Sequence, residues 1–249
     1  MNLQTVERAL VVLELIAQQP LTPQALESAL GLNRTTVARL IYTLASRGYI
    51  EKDGHANKYK LGLKVVELGS IRLNQVELKT EASVYLRELS NKLNQVCHMG
   101  ILSDGDVVYI DKVEPINTIR MFSAIGKRVP VHSTSLGKSL ISGIDNDKII
   151  EILNDKGMQA FTPNTHTDIE TIICEIAHVR KNGYGVDDEE NEKHIWCVSA
   201  PIKDYRNKII AAISTSGNNR DSVKNSNSKE IRLIKETAVK ISKRMGYNE

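Results

Sequence analysis

The chain is poor in cysteine and in long apolar runs. Three cysteines among 249 residues, Cys97, Cys174 and Cys197, form an odd number at long spacings, which predicts neither a disulfide framework nor a bound metal. No run of about 18 apolar residues occurs, so we expect no membrane partner. The N-terminal residues carry charges at amphipathic spacing instead of a signal peptide's apolar stretch, which favours a cytoplasmic protein.

An excess of charge of one sign is also lacking. The 33 Lys and Arg residues against 30 Asp and Glu residues leave a net charge of +3, which is too mild to indicate a nucleic-acid partner. The chain is long enough for two modest cores, with 41% of its residues hydrophobic. A DNA-binding function must therefore be recognised from local features.

The first sixty residues predict a helix-turn-helix. Apolar residues at helical spacing indicate one helix from residue 5 to about 18. Thr22 caps a second helix that ends at Gly31, and Asn33 caps a third that ends at Gly48. Two short helices joined by a glycine turn are typical of DNA-binding domains.

Polar side chains occupy the side of the third helix opposite its apolar stripe, with Arg39 at the centre. Arginine and threonine at such positions suit a helix lying in the major groove. A hairpin around Asp53 and Gly54 predicts a wing, whose Lys52, Lys58 and Lys60 can contact the DNA backbone. The candidate DNA-binding residues are Arg34, Thr35, Thr36, Arg39, Tyr42, Thr43, Lys52 and Lys58.

The alternative for this region is a small domain with a merely solvated polar face. Residues 1–63 hold seven basic and five acidic residues, a net charge of +2, so strong binding to DNA would need two copies.

Residues 63 to about 76 continue as an apolar helix, which we interpret as a linker and dimerisation helix or, alternatively, as an ordinary core helix. The predicted domains are 1–62, 63–77 and 78–249.

The C-terminal part alternates helices with strands and predicts an α+β sheet domain. Thr167 and Glu170 fit a capping box for one of its helices. The predicted helices lie near 135–144, 146–155, 168–181 and 228–245, after an amphipathic helix that begins at residue 78. The predicted strands are 97–103, 107–114, 118–125, 184–190, 194–202 and 208–216.

Two features of this domain indicate a ligand site. Ser214 and Ser216 differ by two, so both hydroxyls face one side of an apolar strand, where a ligand could satisfy them. Serines satisfied within the core are the alternative. Ser133, Thr134 and Ser135 lie at the predicted start of a helix, whose free amides suit a small carboxylate.

The residues resemble the IclR family of bacterial regulators over essentially the whole chain. The similar segments, in family order, are VERALVVLELIA, GLNRTTVARLIYTLASRGYIEK, YKLGLKVVELG, GDVVYIDKVE, IGKRVPVHSTSLGKSL, GYGVDDEENE, CVSAPIKD and IIAAISTSG. The resemblance implies a winged helix-turn-helix, a linker helix and a GAF/PAS-like effector-binding domain with a mixed or antiparallel sheet. It also implies a non-enzymatic, dimeric or tetrameric regulator, more often a repressor, whose binding to double-stranded operator DNA responds to a small metabolite and needs no cofactor.

Members of this family line the effector pocket with residues that match six positions here: Ser135, Leu136, Asp187, Cys197, Ser214 and Ser216. Similarity to the branch that controls sugar-acid use implies a carboxylate effector and a carbohydrate-acid catabolic operon. The chain departs from the family ahead of Cys197, where His194, Ile195 and Trp196 replace the usual glycine and arginine. Trp196 can therefore narrow the pocket or pack beneath the sheet.

Two other classes of function remain open from the sequence. A thiol-dependent hydrolase could use Cys197 with His194 or His132 and Asp187, although residues 194 and 197 point to opposite faces of a regular strand. A metabolite-binding module that acts on protein partners would need the C-terminal pocket but not an exposed Arg39. The neighbours Cys97 and His98 diverge on a strand and do not predict a metal site.

Overall fold

The computed structural model describes residues 3–54, 57–74, 77–116, 121 and 123–248. The chain divides into two compact units, Met1–Val76 and Glu77–Glu249. The separate linker segment 63–77 stays a prediction. Within the described ranges, no helix is both long and apolar enough to cross a lipid bilayer.

The N-terminal unit contains the predicted helices and hairpin. Side-chain oxygens cap two of the helices: Thr22 Oγ1 accepts from Ala25 N at 3.2 Å, and Asn33 Oδ1 accepts from Thr36 N at 2.9 Å. Gly31 ends the second helix with φ 63°, a conformation that glycine adopts without strain. The helices are α1 (Gln4–Gln18), α2 (Pro23–Leu30), α3 (Arg34–Ser46) and α4 (Leu63–Asn74), and the strands are β1 (Ile50–Lys52) and β2 (Tyr59–Leu61).

One apolar core holds this unit together. The side chains that face inward on α1, α2 and α3 meet there, and Ile50 of β1 closes the cluster. β1 and β2 pair antiparallel, with Glu51 opposite Lys60. The turn between them includes residues 55 and 56, which lie outside the described residues. The core fixes which side of α3 is buried and therefore which side faces solvent.

The C-terminal unit is a six-stranded antiparallel sheet covered by helices on both faces, in the strand order β5-β4-β3-β8-β7-β6. The strands are β3 (Val96–Ser103), β4 (Asp106–Val113), β5 (Arg128–Pro130), β6 (Gly185–Asp188), β7 (Trp196–Lys203) and β8 (Ile209–Gly217). The helices are α5 (Glu77–Leu93), α6 (Ser135–Ile141), α7 (Asn146–Lys156), α8 (Ile169–Asn182), α9 (Asp221–Lys224) and α10 (Lys229–Arg244).

The two faces of this sheet carry different helices. α6 packs on β7, β8 and β3, and α7 and α8 complete the apolar core on that side. α5 and α10 pack together against the opposite face. Alternate residues of each strand therefore point toward α6, and Ser214 and Ser216 are among them, since they share the parity of Ala212 in that core.

Two local predictions for this unit are wrong. The cap of α8 is Asp168, whose Oδ1 accepts from Thr171 N at 2.8 Å, so Thr167 does not form the predicted capping box. The predicted strand 118–125 falls partly outside the described residues, and its described positions 121 and 123–125 are not strand. β5 lies further along the chain, beside β4.

Candidate functional site

The outward side of α3 is the first candidate surface. Four apolar residues of this helix are buried, and the opposite side presents Thr35, Arg39 and Tyr42, all exposed. Tyr42 is 76% exposed, which is unusual for so large a side chain without a partner. Ser46 is exposed on the same side at helical spacing, although the sequence analysis did not predict it as a DNA-binding residue.

Three other predicted residues lie at the edges of this surface. Arg34 is exposed in the first turn of α3, whereas Thr36 is only half-exposed. The hydroxyl of Thr43 donates to the carbonyl of Arg39 at 2.9 Å, so its methyl group is the part left for other contacts. The surface is therefore centred on Thr35, Arg39 and Tyr42.

The hairpin adds positive charge beside α3. Lys52 and Lys58 are exposed. Lys60 is engaged, because its Nζ lies 3.3 Å from Glu51 and 3.8 Å from Asp53. Lys52 and Lys58 are thus better placed than Lys60 to contact a phosphate backbone.

The second candidate site is a small cavity of about 30 Å³ between α6 and the sheet. This volume holds a water molecule or two, whereas sites for small metabolites have about 300 Å³ or more. A metabolite can therefore enter only if the walls move apart. The lining residues are Tyr109, Met121, Thr134, Ser135, Leu136, Asp187, Asn191, Glu192, Ile195, Cys197 and Ser214.

Five of the six residues predicted for the pocket line this cavity, and Ser216 does not. Ser216 Oγ lies 3.1 Å from the sulfur of Cys197, so it contacts a residue of the cavity wall without lining the cavity itself. The sequence did not reveal Tyr109, Asn191 and Glu192. Alternation along β4 was the available signal for Tyr109, but the two turn residues come close only through the fold.

Strand register explains why these polar groups meet. Cys197 of β7 pairs with Asp187 of β6 and with Ser216 of β8, so the three side chains form a row on the face toward α6. The start of α6 lies above this row. Thr134 Oγ1 already accepts from Gly137 N at 3.1 Å, and α6 has only seven residues, so its end offers a carboxylate less than the sequence suggested.

Asp187 is the buried acid of the cavity, with 2% of its surface exposed. Its Oδ1 accepts from the amides of Glu190 at 2.7 Å and Asn191 at 3.4 Å. Burial and the charge of Glu190 raise the pKa of Asp187 to about 7, against the opposing influence of Lys138 and the two amides. Asp187 can therefore exist in either protonation state near neutral pH.

The geometry rules out the hydrolase interpretation. The side chain of His194 is 86% exposed and lies 3.3 Å from Glu189, away from Cys197. His132 Nε2 lies 3.0 Å from the carbonyl of Gln159 and is equally unavailable. Burial and the nearby Asp187 raise the pKa of the Cys197 thiol well above its usual value, which disfavours the thiolate that a nucleophile requires.

A buried ion cluster, not predicted from the sequence, lies next to the cavity. Lys138 is 1% exposed, and its Nζ lies 2.6 Å from Glu190, 2.6 Å from Glu175 and 3.1 Å from the carbonyl of Val186. Burial opposes its charge, but the two carboxylates outweigh burial and raise the pKa of Lys138. The ammonium fills the position between the carboxylates, so an ion pair network describes these residues and nearby His166 better than a metal site does.

A larger cavity of about 490 Å³ opens between α8, β6 and residues 223–226. It is lined by Lys138 and Glu175 of the ion cluster and by Cys174, His178 and Tyr184, among others. This cavity is open to solvent, and the charges of Lys138 and Glu175 in its lining are already paired with each other. The smaller cavity is the better candidate for a specific ligand, because several buried polar groups converge on it.

The residues that depart from the family pattern lie at the rim. Ile195 lines the small cavity, whereas Trp196 does not and donates from Nε1 to Asp188 at 2.9 Å. The indole therefore packs beside β6 and leaves the cavity unobstructed.

His98 is buried with Nε2 2.7 Å from Ser123 Oγ, and burial and Lys112 lower its pKa to about 3, so it is a neutral core residue.

Comparison with known proteins gives consistent matches along the chain. The IclR helix-turn-helix domain matches residues 5–54, and the C-terminal domain of bacterial IclR transcriptional regulators matches residues 71–243. The HTH-type transcriptional regulator XynR of Escherichia coli is 36% identical over 216 residues, 86% of each chain. KdgR of Dickeya chrysanthemi is 34% identical over 218 residues, 88% of this chain and 72% of KdgR.

Solved structures agree with these sequence matches. The crystal structure of Thermotoga maritima IclR superimposes with a TM-score of 0.80 at 28% identity, covering 99% of this chain and 100% of that one. The relatives named above are transcriptional regulators and not enzymes. With its helix-turn-helix and its antiparallel α+β domain, this chain belongs to the IclR family of DNA-binding transcriptional regulators.

Proposed function

We propose that this chain represses a carbohydrate-acid catabolic operon by binding its operator, and that a small carboxylate or sugar acid modulates this binding from the cavity beside Asp187. The observation that carries the proposal is the convergence of buried polar groups on that cavity. Repression is the simpler outcome of operator occupancy, because it needs no further surface to recruit polymerase. DNA binding and gene control make the cytoplasm its compartment.

The proposed DNA contacts are of two kinds: some read the base sequence, and others position the protein on the DNA backbone. Thr35, Arg39 and Tyr42 face the base edges in the major groove, flanked by Arg34, Thr36 and Thr43. Lys52 and Lys58 of the wing contact phosphates, which fix the register of the helix without reading the sequence. This division predicts that Arg39 sets specificity and the two lysines set salt dependence.

The proposed assembly is a dimer, or a dimer of dimers, formed through the N-terminal unit. α1, its N-cap residue and α4 expose large apolar side chains that a lone chain would leave in water. These side chains are Leu3, Val6, Leu10, Leu63, Val66, Leu68 and Ile71. Covering them with a second copy would present two α3 helices about 34 Å apart, the spacing of successive major grooves.

The proposed effector contacts come from the residues that line or support the small cavity. Asp187 and Ser214 hydrogen-bond the polar groups of the effector, Cys197 and Leu136 form its apolar wall, and Ser135 lies at the entrance of α6. Ser216, on the neighbouring strand, holds the side chain of Cys197 in place through its hydroxyl group. Because the effector must open the walls, its binding changes the C-terminal unit and so the pairing of two chains on DNA.

A thermal-shift screen of sugar acids and 2-oxo acids tests the effector site. A specific ligand at 100 times its dissociation constant stabilises the folded protein by about 2.7 kcal/mol, which raises the Tm of wild type by roughly 5 to 10 °C. Asp187→Ala removes a central polar contact, so we expect this shift to disappear.

Cys174→Ala is the matched control, because exposed Cys174 lines the larger cavity and lies outside the proposed site. It should keep the full shift. If Asp187→Ala keeps the shift and Cys174→Ala loses it, the effector binds in the larger cavity. Equal shifts in wild type and both variants would remove the proposed role of Asp187.

A metabolite-binding module that acts only through protein partners is the remaining alternative for how the ligand signal is used. It shares the cavity but does not require the exposed polar side of α3. Loss of operator binding on substitution of Arg39 separates the two functions.

A further inference from the structure

We infer that Asp187 recognises the carboxylate of an anionic effector as a neutral acid, so that each chain takes up close to one proton when the effector binds above neutral pH. This inference rests on the proposed function, because it concerns the ligand of the same cavity. If Asp187 acts in this way, it selects ligands that carry a carboxylate, and the affinity for them depends on pH.

The described lining of the cavity, which excludes residues 117–120 and 122 beside Met121, supplies acids and hydroxyls but no counter-ion. Asp187 and Glu192 are its ionisable carboxylates, and among the lining residues that the structure describes there is no lysine, arginine or histidine. An ionised Asp187 and the carboxylate of an effector in contact with it would repel each other and have no hydrogen to share. An anionic effector therefore needs a proton on the acid it contacts.

Lys138, the cation beside Asp187, already forms ion pairs with two other residues. Lys138 lies beside β6, the strand that carries Asp187, and its ammonium contacts both Glu175 and Glu190 at 2.6 Å. Two carboxylates share this single ammonium, so it has no charge in excess to balance an ionised Asp187 or an incoming anion. Since no described residue that lines the cavity carries a positive charge, a proton from solvent supplies it.

Hydrogen bonding decides which oxygen carries the proton. Oδ1 of Asp187 accepts from the amides of Glu190 and Asn191. Since that oxygen already faces donors, the proton belongs on Oδ2, which then donates to a carboxylate oxygen of the effector. The proton comes from solvent and no covalent bond within the effector changes, so the site keeps its total charge when one anion and one proton enter together.

The groups that face Asp187 leave it as the titrating member of the cluster. Lys138 on α6 lowers its pKa, whereas burial and Glu190 raise it to about 7, and Glu192 adds a further acid from the same turn. Tyr109 on β4 and Cys197 on β7 stay neutral at pH 7, because burial raises the pKa of each. Asp187 is therefore ionised above neutrality and available for protonation on binding.

Titration calorimetry in buffers of different ionisation enthalpy counts the protons taken up. The probes are D-gluconate, D-galacturonate and pyruvate, with D-sorbitol as the neutral counterpart of D-gluconate. For a pKa of about 7, we expect uptake of about 0.9 proton per chain at pH 8 and about 0.1 at pH 6, and an affinity about tenfold weaker at pH 8. A neutral ligand should bind with no uptake.

Asp187→Asn is the matched variant, because its carbonyl can accept the two amide hydrogens while its NH₂ group donates to the effector as a protonated acid would. We expect it to bind the acid with no proton uptake and no change in affinity between pH 6 and pH 8. An acid that binds wild type without proton uptake at pH 8 would overturn the inference and leave the proposed function intact. Failure of all three acids to bind would instead overturn the proposed class of effector, and the inference with it.

Discussion

Replacing Arg39 by alanine is expected to abolish specific recognition of the operator. One good arginine contact to a guanine edge is worth about 1 to 3 kcal/mol of discrimination, and a dimer loses two such contacts. Operator affinity should therefore fall by roughly 30-fold to more than 10,000-fold. The exposed position of Arg39 opposite the buried stripe of α3 makes an effect through folding small.

Fluorescence anisotropy with an operator duplex and a random duplex measures this loss. The Tm of the variant should equal that of wild type, and binding to random duplex should weaken much less. Arg206→Ala removes the same charge from an exposed position in the C-terminal unit and serves as the control. Wild-type affinity of the Arg39 variant for operator would contradict the assignment of α3 as the recognition helix.

Replacing Lys138 by methionine is expected to destabilise the C-terminal unit severely. The substitution leaves Glu175 and Glu190 facing each other without a cation, and removing one member of a buried ion pair costs about 3 to 5 kcal/mol. For a chain of this length, the Tm should fall by roughly 6 to 20 °C. Lys148→Met breaks only an exposed pair with Glu151 and should change stability little.

The pH dependence of the Lys138 variant distinguishes lost charge from lost packing. Burial raises the pKa of Glu190, and without the opposing ammonium that pKa rises further above the unfolded value, so the folded state binds more protons than the unfolded state. The destabilisation should therefore shrink as the pH falls toward 4 and grow as it rises to 7. The triple variant Lys138→Met, Glu175→Gln, Glu190→Gln should recover much of the stability. An equal loss at every pH would indicate packing alone.

The outward side of α3 was largely predictable, because it depends on local spacing. The apolar stripe of α3 and the caps Thr22 and Asn33 fix which residues face outward. Ser214 and Cys197 were predictable from the resemblance, and for Ser214 strand alternation adds an independent physical reason. These features need only the period of a helix or a strand.

The remaining features depend on contacts between distant segments. Lys138 meets a glutamate 52 residues later in the chain, and no sequence period announces such a pair. Thr167 and Asp168 are both good caps, and only the backbone selects Asp168. The small volume of the cavity follows from how α6 seats on the sheet, which a linear pattern does not contain.

The proposed function requires that the ligand site and the DNA site of a single regulator influence each other's affinity. The most direct test is to measure operator affinity with and without saturating effector, and effector affinity with and without saturating operator. Linkage requires both affinities to change by the same factor, typically 5-fold to 150-fold. Two affinities that stay constant, whatever the other site holds, would contradict it.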